Sequence, residues 1–368
     1  MHTDFNYTRS WFQTANSFDA HYARAWSGVV VDNGGLGPGG LPVGPQDQRA
    51  LINTFNIAPT WTHLFGADTL FSLGGYVRQD RYHYIPSRNP FADFTPGLQF
   101  QSVGQNRRLT NAGGHADVSY VKGINNLKAG IEFKHWFLTE NDRFGIVDPT
   151  FNPPCFNADG NPNTSPSVTS PSQCGGALNL GGSANPGYSS ILTPYDMSRG
   201  GAYYPWNGQT DIKERAFYIQ DAITWKDWNF NLGLRQDLYN GITIARLTEP
   251  RLGAAYNIKR TGTVLRFSYA RTMETPFNEN QVLASTGCND PVINPLMAIT
   301  QGYPCITEPI HPGTRNYYQA GLEQAFGRYL VVSGEYSWIY THGVYDFSIF
   351  GNTPITFPIV WDKSKIPG

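Results

Sequence analysis

The sequence predicts an all-β fold, an antiparallel up-and-down transmembrane β-barrel. Three observations predict it. Eleven stretches alternate apolar and polar residues. Short and long connections follow one another between them, as in a barrel with tight turns at one rim and long loops at the other. Most of the stretches run ten to fifteen residues. A globular strand is about five or six residues long, whereas a tilted bilayer crossing needs about 9–11.

The stretches are read in chain order. Residues 3–14 and 49–62 alternate weakly and flank a long connection, 15–47. In 69–81, Phe71, Leu73 and Val77 oppose Ser72, Tyr76, Arg78 and Asp80. A second long connection, 83–106, leads to 109–122, which is weak again. In 127–137, Leu127, Ala129, Ile131, Phe133 and Phe137 oppose Lys128, Glu132 and Lys134. A third long connection, 141–211, is rich in Gly, Pro, Ser and Asn and reads as a large surface loop.

The pair 214–225 and 228–239 is the clearest, with a short turn at 226–228. Phe230, Leu232, Leu234 and Leu238 share one face, and Asn231, Gly233, Arg235 and Asp237 the other. Period two is the strand signal. A helix would put Asn231, Arg235 and Leu238 on one stripe, which makes no core. Residues 249–258 and 264–270 flank the short turn 259–262, and the second sets Leu265, Phe267 and Tyr269 against Arg266 and Ser268. The fourth long connection is 272–314. Residues 317–323 and 329–340 close the series around 325–327, with Leu330, Val332, Tyr336, Trp338 and Tyr340 opposing Ser333, Glu335 and Ser337.

Composition agrees with a lipid-facing surface. Charged residues are 15%, against roughly 25% in soluble domains. No window of 18 apolar residues marks a membrane helix, and the mean hydropathy of −0.38 is slightly polar. Only every second residue of a barrel strand meets lipid, so that value is compatible with a barrel. Trp61, Trp225, Trp228, Phe326 and Tyr329 lie at or beside short turns, where an interfacial aromatic girdle belongs. The net charge of −1 leaves no basic footprint for nucleic acid. The first residues lack an apolar core of the signal-peptide kind. The chain also begins within a strand, so a partial barrel over 1–368 is expected, with no plug domain and no signal peptide.

Cys155 and Cys174 fall in 141–211, and Cys288 and Cys305 in 272–314. Four cysteines allow three pairings. The strand reading favours one disulfide within each long connection, which implies an oxidising compartment. Asp221 is an exception to the alternation, because it shares the face of Phe217, Ile219, Ile223 and Trp225. A midplane carboxylate facing lipid is costly, so Asp221 must lie near an interface or its strand must bulge. The run from Phe156 to Asn161 places oxygens at every second position. It lacks the downstream acidic partner of a calcium loop and reads as an Asx-rich turn. No HExxH, Walker A, GxSxG or paired CxxC pattern occurs, and the eight His have no ligand spacing. The sequence therefore predicts no enzyme, no cofactor and no metal site.

Residues 216–277 carry a resemblance. Ala216-Phe217-Tyr218-Ile219-Gln220-Asp221, Leu232-Gly233-Leu234-Arg235, Glu249-Pro250-Arg251-Leu252-Gly253 and Ser268-Tyr269-Ala270-Arg271 together resemble the barrel of TonB-dependent outer-membrane receptors. Phe55-Asn56-Ile57-Ala58-Pro59 and Ser119-Tyr120-Val121-Lys122-Gly123 resemble its Oar-like branch. The resemblance implies a 22-stranded barrel, of which about eleven strands are present here. It also implies a plug, a TonB box engaging the TonB energy-transducing complex, and the outer membrane of a Gram-negative bacterium with its lipid.

The function so implied is energised uptake of a scarce ligand, a metal chelate or an oligosaccharide. The candidate lumen residues are Arg78, Asp80, Asp117, Glu132, Arg235, Asp237, Arg251, Arg266, Arg271, Glu323 and Glu335. Each has an alternative role as a structural member of a charged wall. Two other functions stay open: a passive porin or surface adhesin, and a soluble secreted carbohydrate-binding β-protein.

Overall fold

Each alternating stretch becomes a strand in the computed structural model of the protein, which describes residues 1–13, 43–44, 46–94, 99–175, 182–276, 287–301, 311–349 and 356–367. The strands are β1 (His2–Gln13), β2 (Arg49–Phe65), β3 (Thr69–Ile85), β4 (Gln101–Lys122), β5 (Asn125–Ile146), the short β6 (Cys155–Phe156) and β7 (Ser183–Ala184), β8 (Tyr204–Trp225), β9 (Trp228–Asn240), β10 (Ile244–Ile258), β11 (Thr263–Glu274), β12 (Gly313–Phe326), β13 (Leu330–Ile349) and β14 (Thr356–Pro367). Among the described residues one α-helix, α1 (Ile293–Gln301), lies between β11 and β12. All but β6 and β7 form one antiparallel sheet in chain order, β1 to β5 and then β8 to β14. The sheet is an open wall, with β1 and β14 at its edges.

β14 adds a twelfth strand to the eleven read from the sequence. The strands are also longer at the ends away from the short turns: β4, β5 and β8 each reach 22 residues. Among the described connections the short–long rhythm breaks once. β9 and β10 stay paired up to Asn240 and Ile244, so residues 241–243 make a tight connection on the side of the long ones.

The register has a constant slope. A row of directly paired residues runs Thr69, Tyr120, Leu127, Asp221, Leu232, Leu252, Tyr269, Tyr318, Trp338. It starts at the turn end of β3 and, eight strands later, meets β13 eight residues above its turn end at Leu330. That is one residue per strand. With a rise of about 3.3 Å per residue and about 4.8 Å between strands, the strands tilt by about 35°, within the range of outer-membrane barrels. Asp221 lies in this unbroken row four residues from the end of β8 at Trp225. It accepts a hydrogen bond from the Asn126 backbone N–H at 3.0 Å. Its strand has no bulge there, and the carboxylate belongs to the turn-side interface.

The two faces differ sharply. Ile131 and Phe217, paired across β5 and β8, are 53% and 49% exposed. Leu73, Phe133, Ile219, Leu234, Leu252 and Phe267 share their face and are exposed as well. Leaving such side chains in water forgoes about 1.5–3 kcal/mol each, so this face is read as outward, against lipid. Most charged residues of the strands, among them Arg78, Asp117, Glu132, Arg235, Asp237 and Arg266, occupy the other, inward face. Pro250, in β10, has no N–H to give to a ladder. Pairing of β10 with β11 stops beside it at Arg251 and Ala270, while β10 stays paired to β9 and β11 to β12.

The buried core lies above this wall, on its inward side. Val103, Leu109, Leu138, Phe144, Ile146 and Trp206, from the extensions of β4, β5 and β8, pack against Val292, Ile293, Leu296 and Met297 in and beside α1. Leu192, from the 141–211 connection, completes the cluster. The described part of that connection is therefore packed rather than a loose surface loop.

Candidate functional site

Alternation and register place Arg78, Asp80, Asp117, Glu132, Arg235, Asp237, Arg251, Arg266, Glu323 and Glu335 on the inward face. Arg271 is different. It pairs directly with Asn316, in step with Tyr269 and Phe267, which puts it on the outward face. The sequence reading had grouped it with Arg266, but an odd interval along a strand reverses the face.

Arg235 is the centre of the site. Its Nη2 lies 3.0 Å from Glu132 Oε2, and its Nε 2.9 Å from Asp237 Oδ2. Lys134 Nζ holds the other Glu132 oxygen at 2.9 Å. Tyr218 OH donates to Asp117. Its strand, β8, is separated from that of Asp117 by β5, and the intervening residue is Gly130. A Cβ at Gly130 would meet both Asp117 Oδ1 and the Tyr218 hydroxyl. Asp117, Lys128, Glu132, Tyr218, Arg235 and Arg251 thus line one recess of about 360 Å³.

Other pairs surround it. Arg78 Nε is 2.8 Å from Asp80, which also accepts from Thr54 Oγ1 at 2.6 Å. Arg266 Nη2 is 3.0 Å from Glu323, and both line a second recess of about 310 Å³ with Glu335. Arg251 Nη2 is 3.2 Å from Glu249. Glu249 is a buried member that sequence reasoning did not select. It accepts the Met273 N–H at 2.6 Å, where the β10–β11 ladder has ended. The readable signal is the following Pro250: a proline cannot donate to the ladder, and where pairing stops beside it the backbone groups of the neighbouring strand, Met273 N–H among them, need other partners.

The connections form a second layer. Cys155 and Cys174 are disulfide-bonded. Cys288 is disulfide-bonded as well, while its expected partner, Cys305, lies outside the described residues. The Phe156–Asn161 run is a turn: Asn157 N–H and Asn161 O bond at 2.8 Å, and Asp159 accepts from the Asn161 backbone and side chain. Arg199 is buried, with Nη1 2.6 Å from Asp196. It also donates to the carbonyls of Val168, Pro149 and Asn163. Asp93, at the end of the 3-10 turn Pro90–Asp93, is fully buried. Burial holds its carboxyl above the ordinary range, against hydrogen bonds from Ser102 and Ser87 that favour ionisation.

The arrangement can hold polar ligands of either charge sign on a wet, mixed-charge wall. Among the described residues, no group of three His, Cys, Asp or Glu side chains gathers at metal-binding range.

Residues 87–340 match the family described as TonB dependent receptor-like, beta-barrel. No protein of curated function matches the sequence. Among solved structures, the chain is similar to the copper transporter OprC, with a TM-score of 0.54 and 7% identity over 89% of this chain and 44% of that one. The ferric yersiniabactin uptake receptor FyuA from Yersinia pestis gives 0.47 and 10% over 82% and 37%. The ferric-catecholate import receptor Fiu from E. coli gives 0.47 and 11% over 100% and 52%. The chain therefore spans about half or less of these receptors. A match covering most of the wall, on an antiparallel sheet of this tilt and length, places the protein in the Gram-negative outer membrane: the chain belongs to the TonB-dependent receptor β-barrel family.

Proposed function

We propose that this wall is part of a receptor that draws a scarce ligand, a metal chelate or an oligosaccharide, across the outer membrane with energy delivered by the TonB complex. The short turns face the periplasm and the long connections face the medium, at about 15–47, 83–106, 141–211 and 272–314. The observation that carries the reading is the folding of α1 and the 141–211 connection over the inward side of β4, β5 and β8. A wall used only as a sieve has no need of a hydrophobic cluster on that side. The inward charges Arg78, Asp80, Asp117, Glu132, Arg235, Asp237, Arg251, Arg266, Glu323 and Glu335 line the route below this cap. Most are tied in pairs, so they shape a polar passage rather than seize one ion.

The likeness to OprC, a copper transporter, favours a metal or its chelate as cargo. The test is uptake of radiolabelled ferric catecholate, copper and a maltodextrin by cells carrying or lacking the complete receptor. Uptake of one of them that disappears without TonB, or when the proton gradient is collapsed, supports the proposal. Equal flux with and without TonB would instead favour the passive porin.

A further inference from the structure

The outward face carries charges that the uptake reading does not use. Arg81 and Arg108 are direct cross-strand partners on β3 and β4. Their row continues to Asn53 and then Arg9 on the other side. All three arginines are exposed. Like charges placed opposite each other on one face are unfavourable by themselves, and a sequence that builds such a pair implies a counter-anion. On the outward face of the described strands β1 to β12, acidic side chains occur only at Asp211 and Asp221, both on β8. The carboxylates of neighbouring strands face inward.

The sloped register fixes the height of these charges. Because rows climb one residue per strand, height is measured from each strand's own short turn. Arg81 is twelve residues from Thr69, Lys213 twelve from Trp225, and Arg246 twelve from Ile258. Arg108 is fourteen from Lys122, and Arg215 ten from Trp225. Twelve residues at a tilt of about 35° rise about 30 Å. An outer-membrane barrel has an apolar band about 25 Å tall. Leu73, Ile131, Phe217 and Leu234, exposed apolar side chains of this face, lie between the turns and this level, while Trp11 and Ile244 stand just above it. Lys213 bridges Asp211 at 3.1 Å. Arg108, Arg215 and Arg246 have neither a hydrogen bond nor an ion pair with any described residue, and all three are exposed.

We propose that this outward girdle, centred on Arg81, Arg108 and Arg246, binds the anionic phosphate headgroups of the lipid leaflet on the side of the long connections. Guanidinium groups match phosphate oxygens with paired donors. Long basic side chains at the rim of an apolar belt place their charge in the headgroup layer. The proposal rests on the strands lying in the outer membrane and is independent of what the receptor transports.

The test uses the complete receptor in dodecyl maltoside, titrated with dimyristoylphosphatidylglycerol or, separately, dimyristoylphosphatidylcholine. Bound lipid is read by native mass spectrometry. The anionic lipid should bind more tightly than the zwitterionic one and raise the unfolding temperature. Combining Arg81→Gln, Arg108→Gln and Arg246→Gln should weaken the anionic lipid on the order of a hundredfold. Lys122→Gln, on the same face at the turn end, should leave that binding unchanged. Raising salt to about 0.5 M should weaken wild-type binding as well, which needs no variant to fold. Binding that ignores both salt and the triple substitution overturns the proposal. So does equal binding of the two lipids, or an equal rise in unfolding temperature with inorganic phosphate alone.

Discussion

Arg235 on β9 reaches across the whole of β8 to bond Glu132 on β5, with Nη2 and Oε2 3.0 Å apart. The residue of β8 directly between Glu132 and Asp237 is Ala216, small enough to leave the span open. Removing the guanidinium with Arg235→Ala leaves two carboxylates facing each other over that gap. The groups are about a quarter exposed or less, so the cost falls between the buried and surface cases, at about 2 kcal/mol. A double-mutant cycle with Glu132→Gln, read from urea unfolding of the complete receptor in detergent, should give a coupling of about 1 kcal/mol. Additive single effects would show that the bridge contributes nothing.

Gly130 vacates the space in which Tyr218 meets Asp117. Gly130→Val should push the tyrosine aside and destabilise the wall by about 1–3 kcal/mol through overpacking. Tyr218→Phe, which loses only the hydroxyl, should cost less, about 1 kcal/mol. Equal losses for the two would mean that the glycine has no role in fit.

Arg199 donates to groups drawn from four parts of the 141–211 connection. Arg199→Lys keeps the charge but cannot make that set of bonds. Arg199→Ala leaves Asp196 buried and uncompensated, at about 3–5 kcal/mol. Limited proteolysis should then cut the connection many times faster while the strands stay protected. A cleavage pattern like that of the wild type would exclude the clasp. Cys155→Ser should act on the same segment, losing about 3 kcal/mol of loop constraint.

Asp93 gives the connections a pH dependence. Its folded-state carboxyl is raised by burial, so the folded form binds its proton more tightly than the unfolded chain. Its contribution is full below the ordinary carboxylate range and is lost as pH rises through the raised value. Amide exchange at Ser87 and Ser102, corrected for its intrinsic pH dependence, should therefore show easier local opening as pH rises. Asp93→Asn should flatten that trend. A variant with the wild-type slope would assign the effect to another group.

The strands were legible because lipid enforces strict alternation: Leu127 to Phe137 and Phe230 to Leu238 read correctly from period alone. Their extensions were less legible. In β5, Glu140 and Asp142 lie between Leu138 and Phe144 on one buried face, so packing by α1 and the long connection mixes the pattern. The inward charges were readable as a face, but their pairing depends on register. Nothing local in Arg235 points to Glu132, 103 positions away. Arg271 lies an odd number of residues from Arg266, so parity puts it on the face of Tyr269 and not with the other candidate arginines. Glu249 was passed over because its task, holding the Met273 N–H, exists only where two strands part.

That parting has a mechanical consequence. Below Pro250 the wall is a continuous hydrogen-bonded fabric. Above it, β8 to β10 and β11 to β13 are two panels on a common base, fastened across the slit by the Glu249 carboxylate. A fabric cut part-way from its rim bends at the root of the cut. Load applied to the outer connections will concentrate at Arg251 and Ala270, and the upper panels can spread without unzipping the belt that lipid grips.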